Sequence, residues 1–467
     1  MTIEAGAPPV AHDRPFAARV EDPSPARGYS APFVPQPQNA EETGLTLSAL
    51  VDLVSKATYY AGRPTAQALS QQLNLPFAVV DEVLTFMKRE QLVEVVGTSG
   101  VGEQLYMYAL TGKGQERTEE AFQRNGYLGP APVPFDLYIE VLRRQTVTAI
   151  RVTPDDVREA LSHLVLPDAL VESLGPAISS GKSLLLYGGS GNGKSTITSA
   201  IRRMLPGEVL IPYAVDIDGN IVKVFDPRVH EEIPVSVLRD RRAASNQHAP
   251  PPGGVERRRD RRFAICKRPM VVAGGELTMK DLELRYSPVT KFYVAPMQVK
   301  ANSGVLVIDD FGRQIVQPRE LLNRWIVPME SGIDHLALHT GDTIEVPFDV
   351  LLVFSTNIPP GHLGDEAFFR RIRHKIEVPN PTREEFLEIL RRVCQSMEIP
   401  YDEDAAEYLV EAYYERTGRE FRGCHPRDIA ELIVDFARYR GARPQFSIDY
   451  IDAACASYFV DLEEEAA

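Results

Sequence analysis

The residues Gly188-Gly189-Ser190-Gly191-Asn192-Gly193-Lys194-Ser195-Thr196 carry the pattern G-x-x-x-x-G-K-[ST], and with it the chemistry of holding a polyphosphate. Gly188, Gly191 and Gly193 allow backbone shapes that a side chain would block, so successive N–H groups and a helix N-terminus can face phosphate oxygens. Lys194 would reach the β- and γ-phosphates, and Ser195 would offer its hydroxyl to Mg²⁺. A plain Gly/Ser turn is the alternative. The apolar run 184–187 before the pattern and the helical spacing of 196–204 after it supply the strand–loop–helix context that phosphate binding needs.

Further groups suited to phosphate chemistry follow along the chain. Gly304-Val305-Leu306-Val307-Ile308-Asp309-Asp310 is an apolar strand ending in two carboxylates. At the C-terminal edge of a buried sheet, one acid (Asp309) would hold the Mg²⁺ shell and the other (Asp310) would orient an attacking water. Val350-Leu351-Leu352-Val353-Phe354-Ser355-Thr356-Asn357 is a second such strand, and it would bring Asn357 to the γ-phosphate and that water. The stretch 365–376 reads as a helix ending in Arg370, Arg371 and Arg373 before a short strand. It is suited to projecting a guanidinium toward a neighbouring subunit, though a solvated basic helix end would look the same. His425-Pro426-Arg427-Asp428-Ile429 puts Arg427 in the first turn of a helix that could reach back over its own subunit's γ-phosphate.

The elements that position these groups divide the chain into five parts. Residues 1–44, with eight prolines and no periodicity, read as a disordered tail. Residues 45–125 form a small module, 126–160 a Gly/Pro-containing linker, 161–380 an α/β unit and 381–467 a helical unit. The helical unit opens on the capping box Thr382/Glu385. The turn Leu166-Pro167-Asp168 would bring Leu164 and Val165 near a bound adenine.

In this order the elements resemble the AAA+ ATPases over about 165–460. The fold implied is an α/β P-loop parallel sheet flanked by helices, with a C-terminal helical lid. Carried over from that resemblance, Gly188 to Ser195 is the Walker A loop, Asp309 and Asp310 the Walker B pair, and Asn357 sensor 1. Arg371 matches the arginine finger, with Arg370 as runner-up, and Arg427 matches sensor 2. The resemblance also implies ATP and Mg²⁺ as cofactors. ATP hydrolysis would occur between subunits of a homo-oligomer, usually a six-membered ring, and would remodel or translocate another macromolecule. One departure stands out. Most of the family has glutamate where this chain has Asp310, so the water must sit closer or be relayed, and turnover could be slow.

Composition narrows the setting. The chain has 467 residues, 44% of them apolar, and a formal net charge of −14, which weighs against a surface devoted to nucleic acid. No apolar run approaches the ~20 residues that span a bilayer, and the start lacks a basic-then-apolar leader, so no membrane insertion and a cytoplasmic location are expected. The scattered cysteines 266, 394, 424 and 455 suggest neither a disulfide framework nor a zinc site.

Residues 45–125 read as three helices followed by a two-stranded wing. With Tyr108-Ala109-Leu110-Thr111-Gly112-Lys113-Gly114 at the junction with a closing helix, they resemble a small α+β winged-helix domain. Its third helix carries Asp81 and Glu82 in its first half and keeps Lys88 and Arg89 for its far end, the reverse of what a major-groove reader needs. The module carries seven basic and nine acidic residues, so protein contact is favoured over DNA contact.

The span between loop helix and acid strand is long. Residues 209–215 are expected as the second strand of the sheet, followed by a hairpin turning at Asp216–Asn220. Residues 239–268 hold ten basic residues against three acids around a Pro/Gly core, and are expected as a flexible excursion. That excursion either grips an acidic ligand in a central pore or is a solvated loop. Met270–Gly275 and Lys291-Phe292-Tyr293 are weak candidates for a pore motif.

Three functions remain open. The leading one is an ATPase that remodels a protein client recruited by the winged helix. The others are a DNA-binding regulator or DNA motor, and a nucleotide-gated scaffold with little turnover.

Overall fold

The computed structural model describes residues 31–234, 237, 258–362 and 369–459. At its centre five parallel strands lie in the order His374–Glu377, Ser183–Tyr187, Val350–Thr356, Gly304–Ile308 and Met270–Ala273. The three inner strands are apolar on both faces because both faces are covered. Leu184, Leu186, Val305, Val307, Leu351 and Val353 pack with Ile197, Ala200 and Ile201 of the helix Lys194–Met204. Leu185, Leu306, Ile308, Leu352 and Phe354 meet Leu321, Leu322 and Trp325 of the helix Pro318–Ser331. Parallel pairing puts the C-terminal ends of all five strands on one edge, so the groups that follow Tyr187, Ile308 and Thr356 gather there.

The α/β P-loop architecture with a helical C-terminal region is therefore what the chain adopts, with one strand reassigned. Glu208–Pro212 pairs antiparallel with Phe263–Lys267 outside the central sheet, and Met270–Ala273 is instead that sheet's second strand in chain order, at the edge beside Gly304–Ile308. Both are short apolar runs, and such a run does not reveal which sheet it joins. The expected hairpin does form, between Ala214–Ile217 and Asn220–Lys223, turning through Asp218 (φ 50°) and Gly219 (φ 85°). The pore candidates are structural: 270–273 is this sheet strand, Tyr293 is 2% exposed, and Lys291 donates to the Gln123 carbonyl at 2.8 Å.

Residues 126–160 do more than link. Val133–Pro134 completes a second five-stranded sheet with Ala214–Ile217, Asn220–Lys223, Tyr293–Val294 and Arg285–Tyr286. The helix Phe135–Arg144 drives Leu137, Tyr138, Val141 and Leu142 into its core. That core also takes Leu336 and Val346 of the antiparallel hairpin Ile333–Ala337/Thr343–Pro347, which the sequence reading missed. Burial alternates along Ile333-Asp334-His335-Leu336, but the buried residues are Asp334 and Leu336 while Ile333 is exposed, so the apolar pattern carried no period-two signal.

The N-terminal module has the expected element order. Helices Leu47–Ala61, Ala66–Gln72 and Phe77–Arg89 precede the antiparallel strands Val93–Thr98 and Tyr106–Leu110 and the helix Gly112–Arg124. Thr46, Thr65 and Thr111 cap their helices by accepting from backbone N–H groups.

Two expectations about mobile segments are corrected. Residues 1–30 of the proposed tail lie outside the described residues, but 31–44 are packed. Ala31 and Val34 are 2% exposed, the Asp260 N–H donates to the Val34 carbonyl at 2.9 Å, and the Ala40 N–H donates to Glu82 Oε2 at 2.7 Å. The basic stretch lies mostly outside the described residues, yet 258–268 is ordered and its arginines act as ties. The guanidinium of Arg262 is buried against Asp260, 2.8 Å away, and donates to the carbonyls of Thr43 (2.8 Å) and Pro132 (3.2 Å). Arg261 donates to the Ser70 and Leu75 carbonyls at 3.1 and 2.9 Å, and Arg268 to those of Gln145 and Ser303 at 3.0 and 2.7 Å. A buried guanidinium needs that many acceptors to offset its lost hydration. These cations therefore join the N-terminal module, the second sheet and the α/β unit.

The C-terminal unit folds from Arg383–Ser396, Glu403–Val410, His425–Tyr439 and Ile448–Tyr458 around Phe386, Leu390, Leu409, Tyr414, Ile429 and Ile433. The capping box at Thr382 and Glu385 is present. Among the described residues no helix is long and apolar enough to cross a membrane.

Candidate active site

The loop between Tyr187 and Lys194 turns on Gly188 (φ 147°), Gly191 (φ 83°) and Gly193 (φ 82°), all left-handed values that disfavour a side chain. Gly193 is the N-cap of the helix Lys194–Met204, so the unpaired N–H groups of its first turn, from Lys194, Ser195 and Thr196, open onto the loop. Ser190 and Gly189 form the exposed crest of the loop. Lys194 is 6% exposed, and its Nζ donates to the carbonyls of Gly188 (3.0 Å) and Gly189 (2.7 Å). Burial pulls the Lys194 amine below its ordinary pKa and Arg422 adds to the shift, while Asp310 and Asp309 oppose it.

Across the loop, Ser195 Oγ donates to Asp309 Oδ2 at 3.0 Å. A hydroxyl and a carboxylate in contact at a phosphate loop suit a hard cation such as Mg²⁺. Among the described residues no cluster of three or more His, Cys, Asp or Glu could hold a metal. A cation here would therefore complete its shell with phosphate and water.

Asp310 is held in a left-handed backbone conformation, φ 49°, a strain of about 1–3 kcal/mol for a non-glycine residue. Its neighbours fix the turn. The Phe311 N–H donates to the Ser355 carbonyl at 2.7 Å, Thr356 Oγ1 to the Phe311 carbonyl at 2.7 Å, and Gln314 Nε2 to the Asp309 carbonyl at 2.7 Å. The strain aims the carboxylate at Asn357, whose Nδ2 donates to Asp310 Oδ1 at 3.3 Å. Lys194, Ser195, Asp309, Asp310 and Asn357 thus form one connected edge.

The arginines fall out differently. Arg371 Nε donates to Glu330 Oε1 at 2.6 Å within its own chain, and Arg370 is exposed beside it. Residues 363–368, which include most of the expected helix before them, lie outside the described residues. Arg427 is exposed in the first turn of His425–Tyr439; its N–H donates to the Cys424 carbonyl at 3.0 Å, and among the described residues its guanidinium makes no hydrogen bond or ion pair. The lid residue beside the loop is Arg422, which acts on Lys194; its Cβ lies 3.9 Å from where a Cβ on Gly191 would stand.

The sequence reading also missed Asn380, Glu420 and Cys424. Asn380 follows the last strand between two prolines, Pro379 and Pro381. Asn192 Nδ2 donates to Asn380 Oδ1 at 2.7 Å, and Asn380 Nδ2 donates to Glu420 Oε2 at 3.0 Å. Arg392 of the C-terminal unit donates to the Ser162 and Leu164 carbonyls at 3.2 and 3.4 Å, so Leu164 does lie where the lid meets the α/β unit.

Below these contacts His425, 8% exposed, shares a hydrogen bond between its Nδ1 and Tyr414 OH at 3.0 Å. Burial pushes its imidazole down to about 4, with Arg422 contributing. The unfolded chain therefore binds a proton first as pH falls. The stability held by the neutral ring is full above the ordinary value of about 6.5 and is lost between there and about 4. Each pH unit in that window is expected to remove up to about 1.4 kcal/mol. Melting curves from pH 7 to 4.5 should show a shallower decline in His425→Phe than in the parent chain.

Three comparisons relate the chain to known proteins. A family model described as "Domain of unknown function (DUF8689)" matches residues 382–457, the C-terminal helical unit. No curated protein matches the chain by sequence. Among solved structures, NtrX from Brucella abortus in complex with ADP aligns at 16% identity over 76% of this chain and 69% of that one, with a TM-score of 0.38. The same protein in complex with ATP aligns at 15% identity over 82% and 66%, with a TM-score of 0.36. The Thermotoga maritima RuvB Holliday junction branch migration motor aligns at 17% over 66% and 71%, with a TM-score of 0.34.

Proposed function

We propose that this protein is an ATPase of the AAA+ type that works as a homo-oligomer, in a hexameric ring, and uses Mg²⁺-dependent ATP hydrolysis to remodel a protein assembly in the cytoplasm. The observation that carries the reading is the connected edge of Lys194, Ser195, Asp309, Asp310 and Asn357 at the C-terminal ends of three adjacent parallel strands. Lys194 and the loop N–H groups bind the phosphates, and Ser195 with Asp309 holds the cation. Asp310, steadied by Asn357, orients the water. Charge is neutralised and water placed by groups already in position, which is most of what phosphoryl transfer asks of a protein.

Arg371 serves the neighbouring subunit's nucleotide. Its ion pair with Glu330 stores the side chain until a neighbour arrives, and Arg370 is the alternative donor. Phosphate release per subunit is then expected to rise with protein concentration. In Arg371→Ala it is expected to fall by about 10³-fold or more while nucleotide still binds. Absence of phosphate release at every concentration would sink the ATPase reading; parent-like release by Arg371→Ala would remove only the finger assignment.

The N-terminal module, read as a winged helix, serves to recruit a protein client. The helix Phe77–Arg89 counts against the DNA reading, because the segment at Ala40 packs against it and the Ala40 N–H donates to Glu82. Several arginines counted toward a nucleic-acid grip are spent on internal carbonyls.

A further inference from the structure

We propose that the Asn192 side chain is a positioning group that couples the phosphate loop to the C-terminal helical unit through Asn380, an inference that rests on the nucleotide reading of this loop. Asn192 is 7% exposed and uses both ends of its amide. Nδ2 donates to Asn380 Oδ1 at 2.7 Å, and Oδ1 accepts from the Gly423 N–H at 3.4 Å. Asn380 passes the connection on, its Nδ2 donating to Glu420 Oε2 at 3.0 Å. The three hydrogen bonds close a ring between the loop, the strap that leaves the sheet after Glu377, and the lid segment ahead of His425–Tyr439. Every bond in it runs the same way, from Gly423 to Asn192 to Asn380 to Glu420.

The group at this position must accept from one partner and donate to another, which an amide does from its two separate ends. Aspartate would lose the donor and set its charge against the Asn380 carbonyl oxygen. Packing makes the joint stiff. A Cβ on Gly188 would stand 2.2 Å from the Val378 carbonyl oxygen, one on Gly189 3.0 Å from Asn380 Oδ1, and one on Gly191 2.5 Å from Cys424 Sγ. Three loop glycines thus abut the strap and the lid directly, so the loop has no room to change shape alone. When phosphate draws on the loop backbone, the strap and the lid must follow, and Asn192 sets the direction in which they do.

The test uses the full chain with Asn192→Ala, Asn380→Ala and the double variant. Amide hydrogen exchange at 420–424 is first followed without nucleotide. Each single variant removes two of the three bonds and is expected to speed it by at least roughly 2- to 10-fold, the worth of one net hydrogen bond. Because the groups act in series, the double variant should be no faster than the faster single. In steady-state turnover, Asn192→Ala is expected to lower kcat while the KM for Mg-ATP stays within about twofold, a split that general loosening of the fold would not produce. Unchanged exchange in both singles, or independent additive effects in the double, overturns the proposal. If the parent chain binds no ATP, the nucleotide reading falls on that result, and the nucleotide-free exchange still decides whether the joint exists.

Discussion

Lys194→Ala should leave a folded protein whose ATP turnover is lower by about 10²–10³-fold, the cost of one preorganised positive donor at a developing phosphate charge. Lys194 follows the N-cap glycine, is 6% exposed, and has its amine between the carbonyls of Gly188 and Gly189 and the carboxylates of Asp309 and Asp310. Alanine is a good helix former at that position, so the helix Lys194–Met204 survives and melting should change little. The change removes a cation from a loop beside two acids, and phosphate would then meet their field unshielded. Affinity for ATP is therefore expected to fall together with turnover. Phosphate release and nucleotide titration on the same preparation check both, and turnover within a few-fold of the parent would refute the role given to Lys194.

Asp310→Asn should have the opposite signature, with ATP retained and hydrolysis reduced by roughly 10²–10⁴-fold. The amide is nearly the same size and its oxygen can still accept from Asn357 Nδ2, so the 3.3 Å contact and the left-handed turn at φ 49° survive. What disappears is a negative group able to polarise water. Losing a carboxylate beside Lys194 also removes repulsion toward phosphate, and ATP affinity should hold or tighten. A single-turnover experiment with bound ATP separates the two steps. Fast hydrolysis by the amide variant would move the water-orienting role to another group, and weak ATP binding would show that Asp310 supports the loop instead.

The loop, the acids and the amide were legible because each is a local pattern: glycines at fixed offsets, or an apolar run with a polar end. Pairing was harder. Residues 209–212 and 270–273 carry the same apolar signal, and the choice between them depends on partners far along the chain, Cys266 and Ile265 for the first and Leu306 and Val307 for the second. Charge misled in the same way. Arg262 and Arg268 look like part of a solvated cluster in sequence, and only the approach of Thr43, Pro132 and Ser303 makes them internal, while the exposed Arg261 is tied to the Ser70 and Leu75 carbonyls. Arg427 holds the helix position that sequence singles out, yet the docking angle of the lid brings Arg422 to the loop. Asn380 gives no sequence signal beyond its flanking prolines.

The hairpin Ile333–Ala337/Thr343–Pro347 grows from the end of the helix Pro318–Ser331, which itself starts a few residues beyond Asp310. At its far end His339 stacks on Tyr286 at 4.0 Å and bonds to Tyr293, both strand residues of the second sheet. That sheet is fastened in turn to the three-helix module through Lys291, Arg261 and Arg262. A continuous series of contacts therefore runs from the acid turn along a helix and a ribbon to the N-terminal module, so nucleotide-dependent changes in amide exchange are expected at Tyr286 and Tyr293 as well as at Asp310.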